Sequence, residues 1–337
     1  MKTHHRGRLA IALVAAISVV VPAALCGHGA WSQTPTTIKI VVPYPPGSGP
    51  DILSRLMAEQ IGRTHGPAVV VENRPGGGTL IGTEAVARAA PDGTTVLLAA
   101  NSFVVNPALK KLSYDPLTSF EPICLLVNLP LVLVVNSSSA FRSLADFLAT
   151  ARARPGELTF ASFGPGSPNH IAEESLKRAA GVDWTYVPYA AGDVPAVAAL
   201  LGGHITTVLA TYSGVMEQLK SGTLRPLAVA ERMRIAPLPD VPTIAESGYE
   251  GFAESGYKNF EASGWLGVVA PAGTPKEVIT HLSTLFVSAL KAPEVTSKLL
   301  PQGLFPVGSC GADFGSYIRK QHDEYARTIR EANIKVE

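Results

Sequence analysis

The stretch Thr37-Ile38-Lys39-Ile40-Val41-Val42-Pro43-Tyr44-Pro45-Pro46-Gly47-Ser48-Gly49-Pro50-Asp51-Ile52-Leu53 decides the fold class. The β-branched run Ile38–Val42 favours a strand. Proline and glycine then turn the chain, and from Asp51 to Ile61 the apolar spacing is helical. The same order returns at Ser162-Phe163-Gly164-Pro165-Gly166-Ser167-Pro168-Asn169-His170, between a strand at Leu158–Ala161 and a helix at Pro168–Ala179. Strand, Gly/Pro turn and helix, in repeated succession, indicate an α/β fold with mainly parallel strands.

Working outward, further strands are expected at Ala68–Val71, Thr95–Ala99, Leu131–Val135, Trp184–Val187, Ile205–Leu209, Leu227–Ala230 and Leu266–Val269. Helices are expected at Leu80–Ala89, Leu144–Ala153, Val194–Leu201 and Gly214–Lys220, then at Lys276–Leu290 and Asp313–Glu331, the last two long and amphipathic. About nine strands exceed one comfortable sheet, so the chain should divide into two lobes. Segments near Ile123–Val135 and Gly264–Val269 are the natural crossings. They assign 33–130 plus 256–337 to lobe one and 131–255 to lobe two, and two crossings make a hinge with a cleft between the lobes.

The 337 residues are 46% hydrophobic and 16% charged, with 28 basic residues against 27 acidic, which excludes a disordered chain. Basic residues cluster nowhere beyond Lys2–Arg8, so no nucleic-acid partner is expected. Lys2, Arg6 and Arg8 precede the apolar run Leu9–Leu25, and Ala30-Trp31-Ser32 supplies a small–x–small site. Residues 1–32 therefore read as a signal peptide cleaved before Gln33, and the protein as exported to the periplasm. A membrane anchor would need a longer run, and a lipoprotein Cys26 is disfavoured by the bulky Leu25 before it. Cleavage removes three basic residues and turns a formal charge of +1 into −2. Cys124 and Cys310 remain. One pair is no disulfide framework, and two buried free thiols are the preferred reading over a bond.

Signatures of enzymes and cofactor sites are missing: no G-x-S-x-G, phosphate loop, H-E-x-x-H, C-x-x-C or complete G-x-G-x-x-G occurs. The protein reads as a non-enzyme without cofactor. His281 and His322 sit on the long helices as solvated side chains. His170, Glu173 and Glu174 share a helical face, but a metal wants a further ligand, so they read as a helix-start histidine with two surface glutamates. A hydrolase pairing His170 with Ser167 or Ser48 is the rival reading.

The two Gly/Pro loops are the positive signal. Each presents backbone N–H groups at a helix start, with proline at an early helical position. Tyr44, Gly47, Ser48, Gly49 and Asp51 in one loop, and Ser162, Gly164, Gly166, Ser167, Asn169 and His170 in the other, are the candidate ligand residues. Neither loop carries Lys or Arg, which favours a carboxylate held by N–H and hydroxyl groups. Gly47→Val and Gly166→Val should each block the site sterically. The alternative is that the glycines merely turn the chain and that Asp51 and Asn169 are local caps.

The loops resemble those of Bug-type periplasmic solute-binding receptors of the tripartite tricarboxylate transporters. The likeness continues in Glu72-Asn73-Arg74-Pro75-Gly76-Gly77-Gly78-Thr79-Leu80-Ile81-Gly82, Pro91-Asp92-Gly93-Thr94, Asn106-Pro107-Ala108-Leu109, Leu200-Leu201-Gly202-Gly203-His204-Ile205, Leu238–Gly248 and Ala270-Pro271-Ala272-Gly273-Thr274-Pro275. The resemblance implies a two-lobed, type II periplasmic-binding-protein fold that closes on its ligand. It implies further contacts from Asn101, Ser102, Tyr189 and Thr211, and membrane components as partners. The implied ligand is a small organic carboxylate: an aromatic acid, a dicarboxylate or an acidic amino acid. A ligand-loaded sensor would look the same, and a monomer is expected. Pro46, Ser48, Pro50 and Thr206 depart from the family pattern, which bears on ligand identity rather than fold.

Overall fold

A computed structural model describes residues 37–64, 66–164, 166–189, 192–247 and 261–335. The expected signal peptide and its cleavage point lie outside them, as does Pro165 of the second loop. No helix among the described residues is long and apolar enough to cross a membrane.

Strands β1 (Thr37–Val42), β2 (Ala68–Asn73), β3 (Thr95–Ala100), β4 (Phe120–Leu129), β10 (Gly264–Pro271) and β11 (Phe305–Cys310) form one sheet, in the order β11-β4-β10-β3-β1-β2. Strands β5 (Leu131–Asn136), β6 (Thr159–Ser162), β7 (Thr185–Pro188), β8 (Thr207–Thr211) and β9 (Leu224–Val229) form the other, in the order β7-β6-β8-β5-β9. This is a two-domain α/β fold. The sheets are mixed, which corrects the mainly parallel expectation. β1 runs parallel to β2 and β3, yet β10 opposes both β3 and β4, and β5 opposes β8 and β9. The physical reason is the crossover: a strand arriving from the other sheet enters at the cleft end and so runs against its neighbours.

The outward crossing takes a single residue. β4 ends at Leu129 and β5 begins at Leu131; Pro130 between them has no N–H to strand, and its carbonyl accepts the Tyr212 N–H at 2.8 Å. On the return side the Ala262 N–H donates to the Ala230 carbonyl at 2.8 Å.

Helices cover both faces of each sheet because each face is apolar. On the first sheet, α1 (Gly49–Arg63) and α8 (Lys276–Leu290) bury Leu53, Met57, Ile61, Leu282 and Phe286 on one face. On the other face, α3 (Ser102–Leu109) and α10 (Ala312–Glu331) bury Phe103, Phe314 and Ile318. On the second sheet, α4 (Leu144–Ala153) and α5 (Pro168–Ala180) enclose Phe147, Phe160 and Trp184; α6 (Asp193–Leu201) and α7 (Tyr212–Lys220) close the opposite face around Leu200 and Val215. A short α2 (Leu80–Ala87) and α9 (Pro293–Leu299) complete the set. α10 also reaches α5: Ile171 packs with Tyr325 and Ile329, and the Ser175 and Thr328 hydroxyls lie 3.1 Å apart.

Cys124 and Cys310 are joined, against the free-thiol reading. They stand directly opposite in the β4–β11 ladder, with Cα atoms 4.0 Å apart, so the strand register brings together residues 186 positions apart in sequence. His281 also departs from expectation, since it is half-buried and its Nε2 is shielded from water.

Candidate functional site

The strands of both sheets release their loops toward a shared cavity of about 630 Å³. Tyr44, Asn101, Ser102, Gly164, Gly166 and Ser167 of the expected set line it. So do Gly78, Thr79, Val105, Asn106, Leu109, Lys110 and Phe163, which were not anticipated.

The first-sheet wall is a hydroxyl cluster. Tyr44 Oη and Ser102 Oγ lie 3.1 Å apart, and Thr79 Oγ1 donates to Ser102 Oγ at 3.1 Å. Burial pushes the Tyr44 phenol above its ordinary value, so it remains a neutral donor or acceptor. Gly76-Gly77-Gly78-Thr79 all hold positive φ, and Thr79, at +81°, is a residue type that resists it. Such a conformation costs about 1–3 kcal/mol and persists only where surroundings impose it. Here Thr83 Oγ1 donates to the Thr79 carbonyl at 2.9 Å, and Asn106 Nδ2 donates to the Gly78 carbonyl at 2.9 Å. Asn101 lines the cavity but spends its side chain elsewhere. Its amide donates to Tyr325 Oη (2.7 Å) and the Ser263 carbonyl (3.0 Å), and its Oδ1 accepts the Trp265 N–H (2.9 Å). It fastens the end of β3 to the returning chain.

The first Gly/Pro loop is already filled from within. The Gly47 N–H donates to Asp51 Oδ2 at 2.9 Å, where Arg55 Nε also binds at 2.9 Å, and Asn73 Nδ2 donates to Oδ1 at 2.8 Å. Burial alone would raise the Asp51 carboxyl, but these donors hold it below the ordinary carboxylate range. Ser48 Oγ donates to the Pro45 carbonyl at 2.7 Å. Gly47, Ser48, Gly49 and Asp51 are therefore off the cavity wall. A Cβ added at Gly47 meets nothing within 4 Å; its need is conformational, at φ +79°, and the expected steric block at this position is withdrawn.

The second loop does face the cavity, and His170 shapes it. The Gly166 N–H donates to His170 Nδ1 at 3.1 Å, while Ser167 Oγ caps α5 by accepting the His170 N–H at 3.2 Å. A backbone N–H can only donate, so Nδ1 is the acceptor and the neutral ring carries its proton on Nε2. Burial pushes the imidazole down to about 4, the nearby Lys177 charge adding to this, and the ring stacks on Tyr186 with centroids 4.1 Å apart.

His170, Glu173 and Glu174 do converge, their ligand-type atoms lying within 4.8 Å of one another. They do not fit a metal, because neither His170 nitrogen offers a free lone pair in this tautomer. Glu173 is no surface group: it is fully buried, accepts the Trp184 Nε1–H at 2.5 Å, and burial pushes it up to about 8, so it is protonated at neutral pH. The rival catalytic pairing finds no geometry either, since no serine hydroxyl is bonded to an imidazole among the described residues.

Besides the first-loop residues and His170, four further expected contacts lie off the wall. Asn169 Nδ2 donates to the Leu209 carbonyl at 3.1 Å, and the Tyr189 N–H donates to the Ser162 carbonyl at 2.9 Å. Ser162 is fully buried. Thr211 caps α7, and its Oγ1 donates to Asp193 Oδ2 at 2.5 Å. The unanticipated wall residues carried one usable signal, the Gly76-Gly77-Gly78 run at the end of a strand. Lys110, at the end of a helix containing Pro107, carried none.

Against known proteins, the model of the TctC family, described as tripartite tricarboxylate transporter family receptor, matches residues 53–334. The chain belongs to this receptor family. It is a solute-binding receptor, and the family is one of binding proteins rather than enzymes. Protein BugT of Bordetella pertussis is 34% identical over 302 residues, covering 89% of this chain and 90% of that protein. Among solved structures, R. palustris Rpa4515 with adipate is 32% identical with a TM-score of 0.71, covering 89% of this chain and 99% of that one. MatC from Rhodopseudomonas palustris with bound malate is 27% identical with a TM-score of 0.67, covering 87% and 98%.

Proposed function

We propose that this receptor is exported to the periplasm and closes its two lobes on a small organic acid, which it delivers to the membrane components of a tripartite transporter. Lobe one would be 33–130 plus 256–337 and lobe two 131–255, hinged at Pro130 and at the return near Ala262. The observation that carries this reading is the cavity itself. One wall comes from the first sheet's loops, through Tyr44, Thr79 and Ser102, and the other from the second sheet's loop, through Gly164, Gly166 and Ser167. Its polar groups are the hydroxyls of Tyr44, Thr79, Ser102 and Ser167 and the Lys110 ammonium, with no nucleophile–base pair among them. Those groups recognise a carboxylate through a few charge-assisted hydrogen bonds of about 1.5–3 kcal/mol each, enough together for micromolar affinity. The adipate and malate held by the two relatives point to the same ligand class.

Of the expected contacts, Tyr44, Ser102, Gly164, Gly166 and Ser167 are the ones this reading keeps. Asn101, Asp51 and His170 act as positioning residues behind them. The test is titration calorimetry of refolded protein against C4–C6 dicarboxylates, aromatic acids and acidic amino acids, with recovered ligand checked by NMR. One-to-one binding and an unchanged ligand are expected; a chemically altered ligand would overturn the receptor reading.

A further inference from the structure

Lys110 is an anomaly in an otherwise uncharged cavity. It follows the last turn of α3 and lines the cleft. Its Nζ stands 3.8 Å from the place a Cβ would occupy on Gly78. With φ +68°, Gly78 leaves that space open where nearly any other residue would strain or crowd it. No carboxylate lies within 4.0 Å of this ammonium among the described residues. The acid nearest in sequence, Asp115, is engaged in its own turn, its Oδ1 accepting the Leu117 N–H at 2.7 Å.

Between Lys110 and the hydroxyls of Tyr44, Thr79 and Ser102, the wall is partly apolar, through Val105 and Leu109. A ligand spanning that wall needs a polar end at the hydroxyl cluster, a hydrocarbon middle and a second anionic end at the ammonium. We propose that Lys110 is the specificity-determining residue of the cleft and selects dianionic over monoanionic acids by pairing with the distal carboxylate. The proposal rests on the carboxylate-receptor reading above. The glycine at 78 is part of it, because the ammonium reaches the cleft over that bare backbone.

The pairing is direct but made by an exposed ammonium, so its loss should weaken a dianion about twofold to fivefold and leave a monoanion unaffected. Lys110 is exposed, and a substitution there disturbs no buried contact. The experiment compares adipate with hexanoate, ligands of equal chain length, on the full mature protein by titration calorimetry. The variants are Lys110→Met, which keeps the apolar stem, and Lys110→Arg, which keeps the charge. Wild type should prefer adipate, Lys110→Met should lose that preference by weakening adipate alone, and Lys110→Arg should restore most of it. Equal loss for both acids, or adipate affinity unchanged in Lys110→Met, would overturn the role of Lys110 while leaving the receptor reading intact. Failure of wild type to bind either acid, or any acid of the wider panel, would overturn both.

Discussion

Acid should loosen the cleft through His170, and the effect can be isolated with one substitution. The folded protein holds this imidazole neutral down to about 4, whereas an unfolded chain protonates it near 6.5. Between those values the unfolded state binds more protons, so stability rises with pH across the window and is lost as pH falls from 6.5 toward 4. Moving the titration that far is worth about 3 kcal/mol at most. A proton on Nδ1 would face the Gly166 N–H across 3.1 Å, so the bond shaping the second loop is the one given up. Glu173 works in the opposite sense. The folded protein keeps its proton up to about 8, the unfolded chain releases it near 4.5, and stability therefore falls as pH rises through that range. The raw wild-type curve mixes both, so the measurement is a difference. His170→Gln retains an acceptor for the Gly166 N–H but has nothing to titrate. Urea unfolding at pH 7.5, 6, 5 and 4 should show wild type ahead by about 1 kcal/mol at pH 7.5, from the lost Tyr186 stacking. That lead should shift by about 3 kcal/mol, leaving the variant ahead by about 2 kcal/mol at pH 4. A wild-type lead constant to within about 0.5 kcal/mol from pH 7.5 to 4, a margin well below the swing expected from the linkage, would refute the assignment of His170 as a buried neutral acceptor.

Other consequences follow from neighbouring contacts. Glu173→Gln should be more stable than wild type above pH 8 and converge with it near pH 4, read by thermal melts in the two buffers. Asp51→Ala removes the acceptor shared by Gly47, Arg55 and Asn73 and should cost about 2–4 kcal/mol, measured by urea unfolding, with binding weakened through loop disorder rather than lost contact. Replacing both Cys124 and Cys310 by Ser opens a loop of 186 residues. Chain entropy sets an upper bound of about 5 kcal/mol on that loss, and reduction of wild type should lower the melting midpoint to match.

Much of the architecture was legible because local signals agreed. The amphipathic spacing of Val278, Leu282, Leu285 and Phe286 located α8 to the residue, and Ser162–His170 showed both the turn and the start of α5. What escaped notice lacked such agreement. β11 contains Pro306, Gly308 and Cys310, hardly a strand composition, and exists because β4 supplies a partner and a disulfide pins it. α3 carries Pro107 in its interior and spans only eight residues, so no periodicity revealed it, and Lys110 went unseen with it. The antiparallel strands were hidden because strand direction depends on where the chain re-enters a sheet.

For the site, glycines and helix starts single out two loops in the sequence, and the structure gives them different surroundings. The sequence showed glycines and helix starts in both, but whether their N–H groups face a ligand depends on side chains four residues on. Asp51 takes the Gly47 N–H and closes the first cradle around itself. His170 takes the Gly166 N–H and leaves that loop on the cavity wall. Gly/Asp and Gly/His spacings are the same, and only burial and orientation separate them.

A thermal-shift screen of the refolded mature protein against small carboxylates tests the central claim most directly, run beside Gly166→Val. At 100 times its dissociation constant a true ligand adds about 2.7 kcal/mol, several degrees in the melting midpoint. Such a shift is expected for at least one short organic acid, and its loss in the Gly166→Val variant, whose φ of +74° on the cavity wall a valine cannot adopt without strain. Folded wild-type protein whose midpoint no carboxylate moves, or a shift retained in a folded Gly166→Val variant, would contradict it.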